Sequence, residues 1–166
     1  MVTPSSGQNH QIATDNMGTV TGPKADYELR TPSSASDWAE YHRIRRAVLW
    51  EARGHHDYDA NHPDDLVPRN LALLLLYRGS AVGVARLDHQ SDGIGVIRRV
   101  AIDVGLQRQG HGRMLLDLLE RRAHALGMII LEVNSAEDAV SFYQRLGYTV
   151  LPGTNTLRKL INISDT

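Results

Sequence analysis

The sequence predicts an α/β (α+β) domain in which one mixed, mostly antiparallel sheet of about six to seven strands is flanked by helices. Three observations lead there. Two apolar runs of strand length lie on either side of Arg78-Gly79-Ser80 and read as a hairpin. A strand-like run ending in Val100-Ala101-Ile102 is followed by a glycine-containing turn, a leucine-rich helix and a second apolar run, the order of a right-handed parallel crossover. A chain of 166 residues is one domain by length and can bury a sizeable core.

Each element follows from a local pattern. Residues 1–25 are rich in Thr, Ser, Gly, Asn and Gln, lack apolar periodicity and read as a flexible tail, which leaves residues 26–166 as the folded domain. Tyr27-Glu28-Leu29-Arg30 reads as the first strand. Ser36 or Ser34 can cap a helix over residues 37–50, which Gly54 ends. Along it Trp38, Tyr41, Ile44, Arg45, Val48 and Leu49 recur at spacings of three and four and make a sheet-facing side. Residues 71–77 and 81–88 form the hairpin, and after Ser91-Asp92-Gly93 a further strand spans residues 94–102.

The helix beginning near Gly112 buries Leu115, Leu118, Leu119 and Leu126, keeps Asp117, Arg121 and Arg122 in water, and stops at Gly127. Residues 128–133 form a buried strand beside residues 94–102. A short helix then opens at Asn134-Ser135-Ala136-Glu137-Asp138, with Ser135 as N-cap and Asp138 three residues on, and runs through Ala139, Phe142, Tyr143 and Leu146. Gly147 supplies its left-handed exit, and residues 148–151 and 156–161 close the sheet as a hairpin.

Composition narrows the chemistry. A net charge of −1 and an apolar fraction of 42% give no general attraction to nucleic acid or anionic membrane, and the basic residues are dispersed rather than interleaved with aromatics. With no cysteine the chain cannot form a thiol nucleophile, a disulfide or a thiolate metal site. No apolar leader and no apolar run of about 18 residues is legible, which together fit a cytoplasmic location.

The turn at residues 107–112, Gln107-Arg108-Gln109-Gly110-His111-Gly112, is the most informative segment. Glycines at 110 and 112 let the main chain turn tightly and approach an anion, while the start of the following helix offers unpaired N–H groups and a positive dipole end. A P-loop is excluded because Arg113-Met114 follow Gly112 where Lys and Ser or Thr are needed. A dinucleotide fingerprint is excluded because Leu115 stands where a third small residue belongs. An ordinary glycine turn into a helix remains the plain alternative. Within the turn, His111 reads as a solvated side chain rather than a catalytic imidazole.

Two motifs in this order, about two dozen residues apart, resemble the Gcn5-related N-acetyltransferase (GNAT) superfamily, and the resemblance covers most of the chain. Gln107, Gly110 and Gly112 after the Val100-Ala101-Ile102 strand match its acyl-CoA signature; Asn134, Ala139, Phe142, Tyr143, Leu146, Gly147 and Tyr148 match its later motif. The resemblance implies the GNAT fold, with the fourth and fifth strands splayed at their C-terminal ends to admit the pantetheine arm of CoA. It implies acetyl-CoA as co-substrate, no metal, and an amine acceptor that is a small molecule or peptide, and it admits a homodimer. Cofactor-binding residues would be Val100, Ala101 and Ile102 for the acetyl carbonyl and pantetheine, Gln107, Arg108, Gln109, Gly110, His111, Gly112 and Arg113 for the pyrophosphate, and Asn134 for the pantetheine or for orienting the helix that bears Tyr143. Tyr143 would be the catalytic acid that protonates the CoA thiolate. Without cysteine an acyl-thioenzyme is impossible, so transfer would be direct attack in a ternary complex. A catalytically weak acyl-CoA-binding regulatory module is the alternative function.

The acceptor side is less determined. A lysine-like ammonium of pKa ~10.4 costs about 4.6 kcal/mol to deprotonate at pH 7. Many GNAT enzymes place a glutamate on the strand before the phosphate loop, but Arg98 and Arg99 stand there, leaving Glu132, His55 and His56 as candidates for the base. Adjacent strand residues point to opposite faces, so one of Arg98 and Arg99 should enter the interior or the cleft. There it would pair with Glu132 or Asp103, or bind an acceptor carboxylate. The run His55-His56-Asp57-Tyr58-Asp59 with His62, Asp64 and Asp65 has no regular metal-ligand spacing and reads as a polar loop or an acceptor wall favouring a cation. An amino acid-like or peptide-like acceptor would satisfy both tendencies.

Overall fold

The computed structural model describes residues 20–21 and 26–162. Its single sheet has eight strands in the order β1-β2-β3-β4-β5-β6-β8-β7. These are β1 (Val20–Thr21), β2 (Tyr27–Arg30), β3 (Asn70–Tyr77), β4 (Ser80–His89), β5 (Ile94–Ile102), β6 (Ile130–Asn134), β7 (Thr149–Val150) and β8 (Thr156–Leu160). Every neighbouring pair is antiparallel except β5 and β6, which run parallel around the expected crossover. Val20 and Thr21 pair with Leu29 and Glu28, so two residues of the expected tail add a short edge; the rest of residues 1–25 lie outside the described residues.

Helix α1 (Ala35–Leu49) covers one face of the sheet, while α2 (His111–Ala125) and α3 (Val140–Arg145) cover the other. On the α2 side Leu115, Leu118 and Leu119 are fully buried against Leu73, Leu75, Ala85, Leu87 and Ile97. Each such leucine contributes roughly 1.5–3 kcal/mol. On the α1 side Tyr41 and Ile44 pack on Leu74, Leu76, Val84 and Ala101. The tight hairpin between β3 and β4 has left-handed residues at Arg78 (φ 49°) and Gly79 (φ 80°), the geometry that follows strand twist.

Several local expectations are corrected. Ser34, not Ser36, caps α1 by accepting from the Asp37 amide at 3.0 Å, so the helix starts two residues early. Its inward first-turn side chain is Asp37, held by Arg30 at 2.7 Å, and Trp38 is 38% exposed. Leu126 is 42% exposed because α2 ends at Ala125 and Gly127 turns the chain away. Ser135 caps nothing: its hydroxyl donates to the Ala136 carbonyl, and the predicted single helix divides into a 3₁₀ turn, Glu137–Ala139, followed by α3. Gly147 does end α3 as expected, with the Tyr148 and Gly147 amides donating to the carbonyls of Tyr143 and Gln144. No helix of the described residues is long and apolar enough to cross a membrane.

Candidate active site

Strands β5 and β6 are paired from Ile94 and Ile130 to Ile97 and Val133, and no further. Beyond Ile97, β5 continues to Ile102 on β4 alone, so its other edge has no strand partner. Counted from Tyr27–Arg30 these are the fourth and fifth strands, and the gap between them is the expected splay. It opens into a cleft of about 660 Å³ lined by Val100, Val133, Asn134, Ala136 and Tyr143 on the gap side and by arginines on the α1 side.

At the far end of β5 the chain makes the glycine turn into α2. Gly110 is left-handed (φ 88°) and so is Arg108 (φ 62°). Among the described residues the backbone amides of residues 107–113 donate to no protein acceptor. A run of free amides at a helix start is an anion-binding concavity. The two glutamine side chains brace it from behind: Gln107 Nε2 donates to the Ile102 carbonyl at 3.2 Å and Gln109 Nε2 to the Gly105 carbonyl at 3.1 Å. A Cβ on Gly112 would lie 3.4 Å from the Phe142 ring, so α3 packs directly against this turn.

His111 is not solvated as expected. Only 6% exposed, it places Nδ1 2.8 Å from the Tyr27 hydroxyl and packs against the Tyr27 and Tyr77 rings. As the first residue of α2 it precedes Leu115 by four and Leu118 by seven, which sets it on the helix's inward face.

Tyr143 lines the cleft at 5% exposure, held edge-on between Phe142 and Tyr148, and burial pushes its hydroxyl up to about 12. Among the described residues that hydroxyl has no hydrogen-bond partner. Asn134 also lines the cleft, its Oδ1 accepting from Thr156 Oγ1 at 2.6 Å, which leaves its amide nitrogen available.

A bulge reshapes β5 within the stretch that borders the gap. Val84 pairs with Ala101 and Arg86 with Arg98, so Ala85 faces two residues, Arg99 and Val100. Arg99 takes the left-handed conformation (φ 56°), which costs a non-glycine residue about 1–2 kcal/mol. Strict alternation therefore fails here, and Arg98 and Arg99 both line the cleft. Neither pairs with Glu132 or Asp103. Arg98 Nε holds Asp88 at 2.8 Å, Arg99 lies over the Trp50 ring at 5.1 Å, Glu132 is paired with Arg158, and Asp103 with Arg43.

The three suggested bases are not brought to the reaction centre: Glu132, His55 and His56 are absent from the cleft lining. Of the acidic loop, Asp64 lines the cleft, whereas Asp65 is drawn into a network that the sequence reading missed. Arg86 on β4 binds Asp65 at 2.9 Å and Asp88 at 2.7 Å, and Arg45 on α1 reaches Asp65 at 3.1 Å. Burial alone would raise the Asp65 carboxyl, but the hydrogen bond from Arg86 and the charges of Arg45 and Arg86 hold it below its ordinary value. The available signal was Arg86 and Asp88, two apart inside an otherwise apolar strand. No three His, Asp or Glu side chains converge as metal ligands among the described residues.

The sequence profile of the acetyltransferase (GNAT) domain matches residues 64–164. The fold is similar to that of a Lactobacillus plantarum protein assigned to the N-acetyltransferases, with 24% identity, a TM-score of 0.70, and 81% of this chain and 97% of that one covered. It is also similar to the Escherichia coli ribosomal-protein-S18-alanine N-acetyltransferase (18% identity, TM-score 0.64, 84% and 96% covered). A third similar structure is an aminoglycoside 6′-N-acetyltransferase complexed with coenzyme A (15% identity, TM-score 0.65, 82% and 99% covered). By sequence, 55 residues are 44% identical to mycothiol acetyltransferase of Thermomonospora curvata, a match spanning 33% of this chain and 18% of that protein. With the profile covering more than half of its length and the strand splay, free-amide turn and cleft tyrosine in place, the chain belongs to the GNAT family of acetyltransferases.

Proposed function

We propose that this acetyltransferase uses acetyl-CoA and transfers its acetyl group to a primary amine of a small molecule or peptide by direct attack in a ternary complex. The observation that carries this reading is the path of β5, which runs from an edge unpaired beyond Ile97, with Tyr143 beside the gap, to the turn whose amides at residues 107–113 are free. That turn packs on α3 through Gly112 and Phe142 but does not itself line the Tyr143 cleft. The amides suit the pyrophosphate, and the strand edge suits the amides of an extended pantetheine arm. Within that path Val100, Ala101 and Ile102 would align the thioester carbonyl, Gln107, Arg108, Gln109, Gly110, His111, Gly112 and Arg113 would hold the pyrophosphate, and Asn134 would offer its amide nitrogen to the pantetheine.

Attack by the amine builds negative charge first on the carbonyl oxygen and then on sulfur. A backbone N–H on the free edge of β5 answers the first, and the Tyr143 hydroxyl answers the second. A hydroxyl pushed up to about 12 stays protonated at neutral pH and donates a hydrogen bond as the thiolate departs. Among the described residues no glutamate lines the cleft, its Asp88 is committed to Arg86 and Arg98, and its Asp64 is a solvent-exposed carboxylate, so the amine proton leaves through water. The same lack is what favours the second reading, an acyl-CoA-binding regulatory module with weak turnover.

Release of CoA thiol, followed across amines, amino acids and peptide N-termini with acetyl-CoA binding measured by calorimetry, separates the two. Acceptor-dependent release supports the enzyme reading. Tight binding with no release for any acceptor supports the regulatory module, and absence of binding removes both.

A further inference from the structure

The acceptor side of the cleft carries more positive charge than its carboxylates neutralise. Arg53, Arg86, Arg98 and Arg99 line it against Asp64 and Asp88 alone. Arg86 spends its guanidinium on Asp65 and Asp88, both buried or nearly so, and Arg98 uses only Nε on Asp88. Among the described residues the terminal nitrogens of Arg98, and the whole guanidiniums of Arg99 and Arg53, have no acidic partner. Partial burial first, and then the charges of Arg45 and Arg86, lower the Arg99 pKa, as expected of a cation short of counter-charge.

Backbone geometry ties this charge to the reaction centre. The bulge holds Arg99 in a left-handed conformation that glycine would occupy without strain, and that conformation is what lets two consecutive arginines share one cleft. Arg98 also lies on the α1 face of the sheet with Arg86 and Asp88, opposite the face covered by α2 and its anion-binding turn, so it is not part of the pyrophosphate cradle. Both arginines directly precede Val100, within about 7 Å along the strand of the backbone that would align the acetyl carbonyl.

We propose that Arg98 and Arg99 form a carboxylate subsite, and that the acceptor is an amino acid whose own carboxylate, a few bonds from the attacking amine, is bound there. Planar guanidinium groups suit bidentate recognition of a carboxylate. A polyamine or aminoglycoside would instead bring a second positive charge to unpaired guanidiniums. The acidic loop offsets this only through Asp64, since Asp65 is already bound by Arg45 and Arg86. The inference rests on the acetyl-CoA reading above.

The test is equilibrium binding, independent of turnover. Protein saturated with CoA is exposed to a mixture of the common proteinogenic amino acids, then to the matching mixture of their carboxamides, and binding is read by saturation-transfer NMR. The expected result is amino acid binding that is absent or at least about tenfold weaker for the carboxamides. Binding should fall by a similar factor in Arg99→Asn, which tolerates the left-handed backbone, and less in Arg99→Lys. CoA affinity and thermal midpoint should stay unchanged in both variants. Equal binding of carboxamides, indifference to Arg99→Asn, or no binding of either mixture to CoA-loaded protein overturns the subsite while leaving the acetyltransferase reading in place. Failure to bind CoA itself overturns that reading and the subsite with it.

Discussion

Replacing Tyr143 by Phe removes one oxygen atom from the wall of the cleft and leaves the ring packing with Phe142 and Tyr148 intact. Because the hydroxyl has no protein partner among the described residues, its loss should change folding stability by less than about 0.5 kcal/mol. Catalysis should respond far more. Burial raises the Tyr143 hydroxyl from its ordinary ~10 to about 12, so it is protonated through the working range. Passing its proton outright to a thiolate of pKa ~8.5 would be uphill by roughly 3.5 units, or about 5 kcal/mol. The hydroxyl therefore acts mainly as a hydrogen-bond donor to the developing thiolate, an interaction worth about 1.5–3 kcal/mol. Turnover in Tyr143→Phe should fall about 10- to 150-fold, with the KM for acetyl-CoA within about twofold. Thiol release at saturating acetyl-CoA, with the best acceptor of the panel, reads this directly. Since the raised pKa lies well above neutrality, Tyr143 should give no descending limb in the pH–rate profile below about pH 11. Stability from keeping it neutral is complete below ~10 and is lost as pH rises through the folded value of about 12. A variant that keeps more than half of its turnover, or a limb near pH 8–9 that vanishes in Tyr143→Phe, would refute the assignment.

Asp88→Ala should leave Arg86, 5% exposed, with Asp65 as its remaining carboxylate partner and release Arg98, costing about 1–3 kcal/mol in urea unfolding; a cost below about 0.5 kcal/mol would contradict the network. His111→Ala removes the buried partner of the Tyr27 hydroxyl and should cost about 1–3 kcal/mol while weakening acetyl-CoA binding, because the same residue begins the turn that bears the free amides. A loss of stability with unchanged acetyl-CoA affinity would show the turn holds its shape without it. The hydrogen bond from Arg30 lowers the Asp37 carboxyl pKa against the opposing effect of burial, so its stabilisation is present above the ordinary ~3.9 and is lost as pH falls through the lower folded value. The acid limb of the stability curve below about pH 4 should therefore flatten in Asp37→Asn, and an unchanged limb would place the titrating carboxylates elsewhere.

Much of the fold was legible because the elements are locally consistent. Helical leucine spacing, glycines at the exits of α2 and α3 and the turn around Arg78 and Gly79 all point to the structure observed, whereas α1 ends at Leu49 and Gly54 closes the 3₁₀ turn Glu51–Arg53 that follows it. The failures have physical reasons. Alternation along β5 cannot foresee the Arg99 bulge, because an extra residue is absorbed by pairing with β4 and nothing in Ile-Arg-Arg-Val announces it. His111 was misplaced because a polar residue between two glycines suggests a loop, although its spacing to Leu115 and Leu118 already set it on the inward face. Ser135 could not cap α3 because a 3₁₀ turn intervenes. The arginine–aspartate network joins α1, the Asp65 turn and β4, with partners up to 21 residues apart, so no local window holds it. Tyr143, Asn134 and the glycine turn were placed by motif, and the structure brings Tyr143 and Asn134 to the same cleft.

The central claim is that the gap beyond Ile97 and Val133 is an acetyl-CoA site from which acetyl is transferred to an amine. The most direct measurement is mass spectrometry of an amine panel incubated with acetyl-CoA and the protein, with thiol release recorded in the same reactions. One acetyl group should be gained by the acceptor for each CoA thiol released, and both signals should fall together, by about 10- to 150-fold, in Tyr143→Phe. Thiol release without acetylated acceptor, or acetylated acceptor at the rate seen without protein, would contradict the claim.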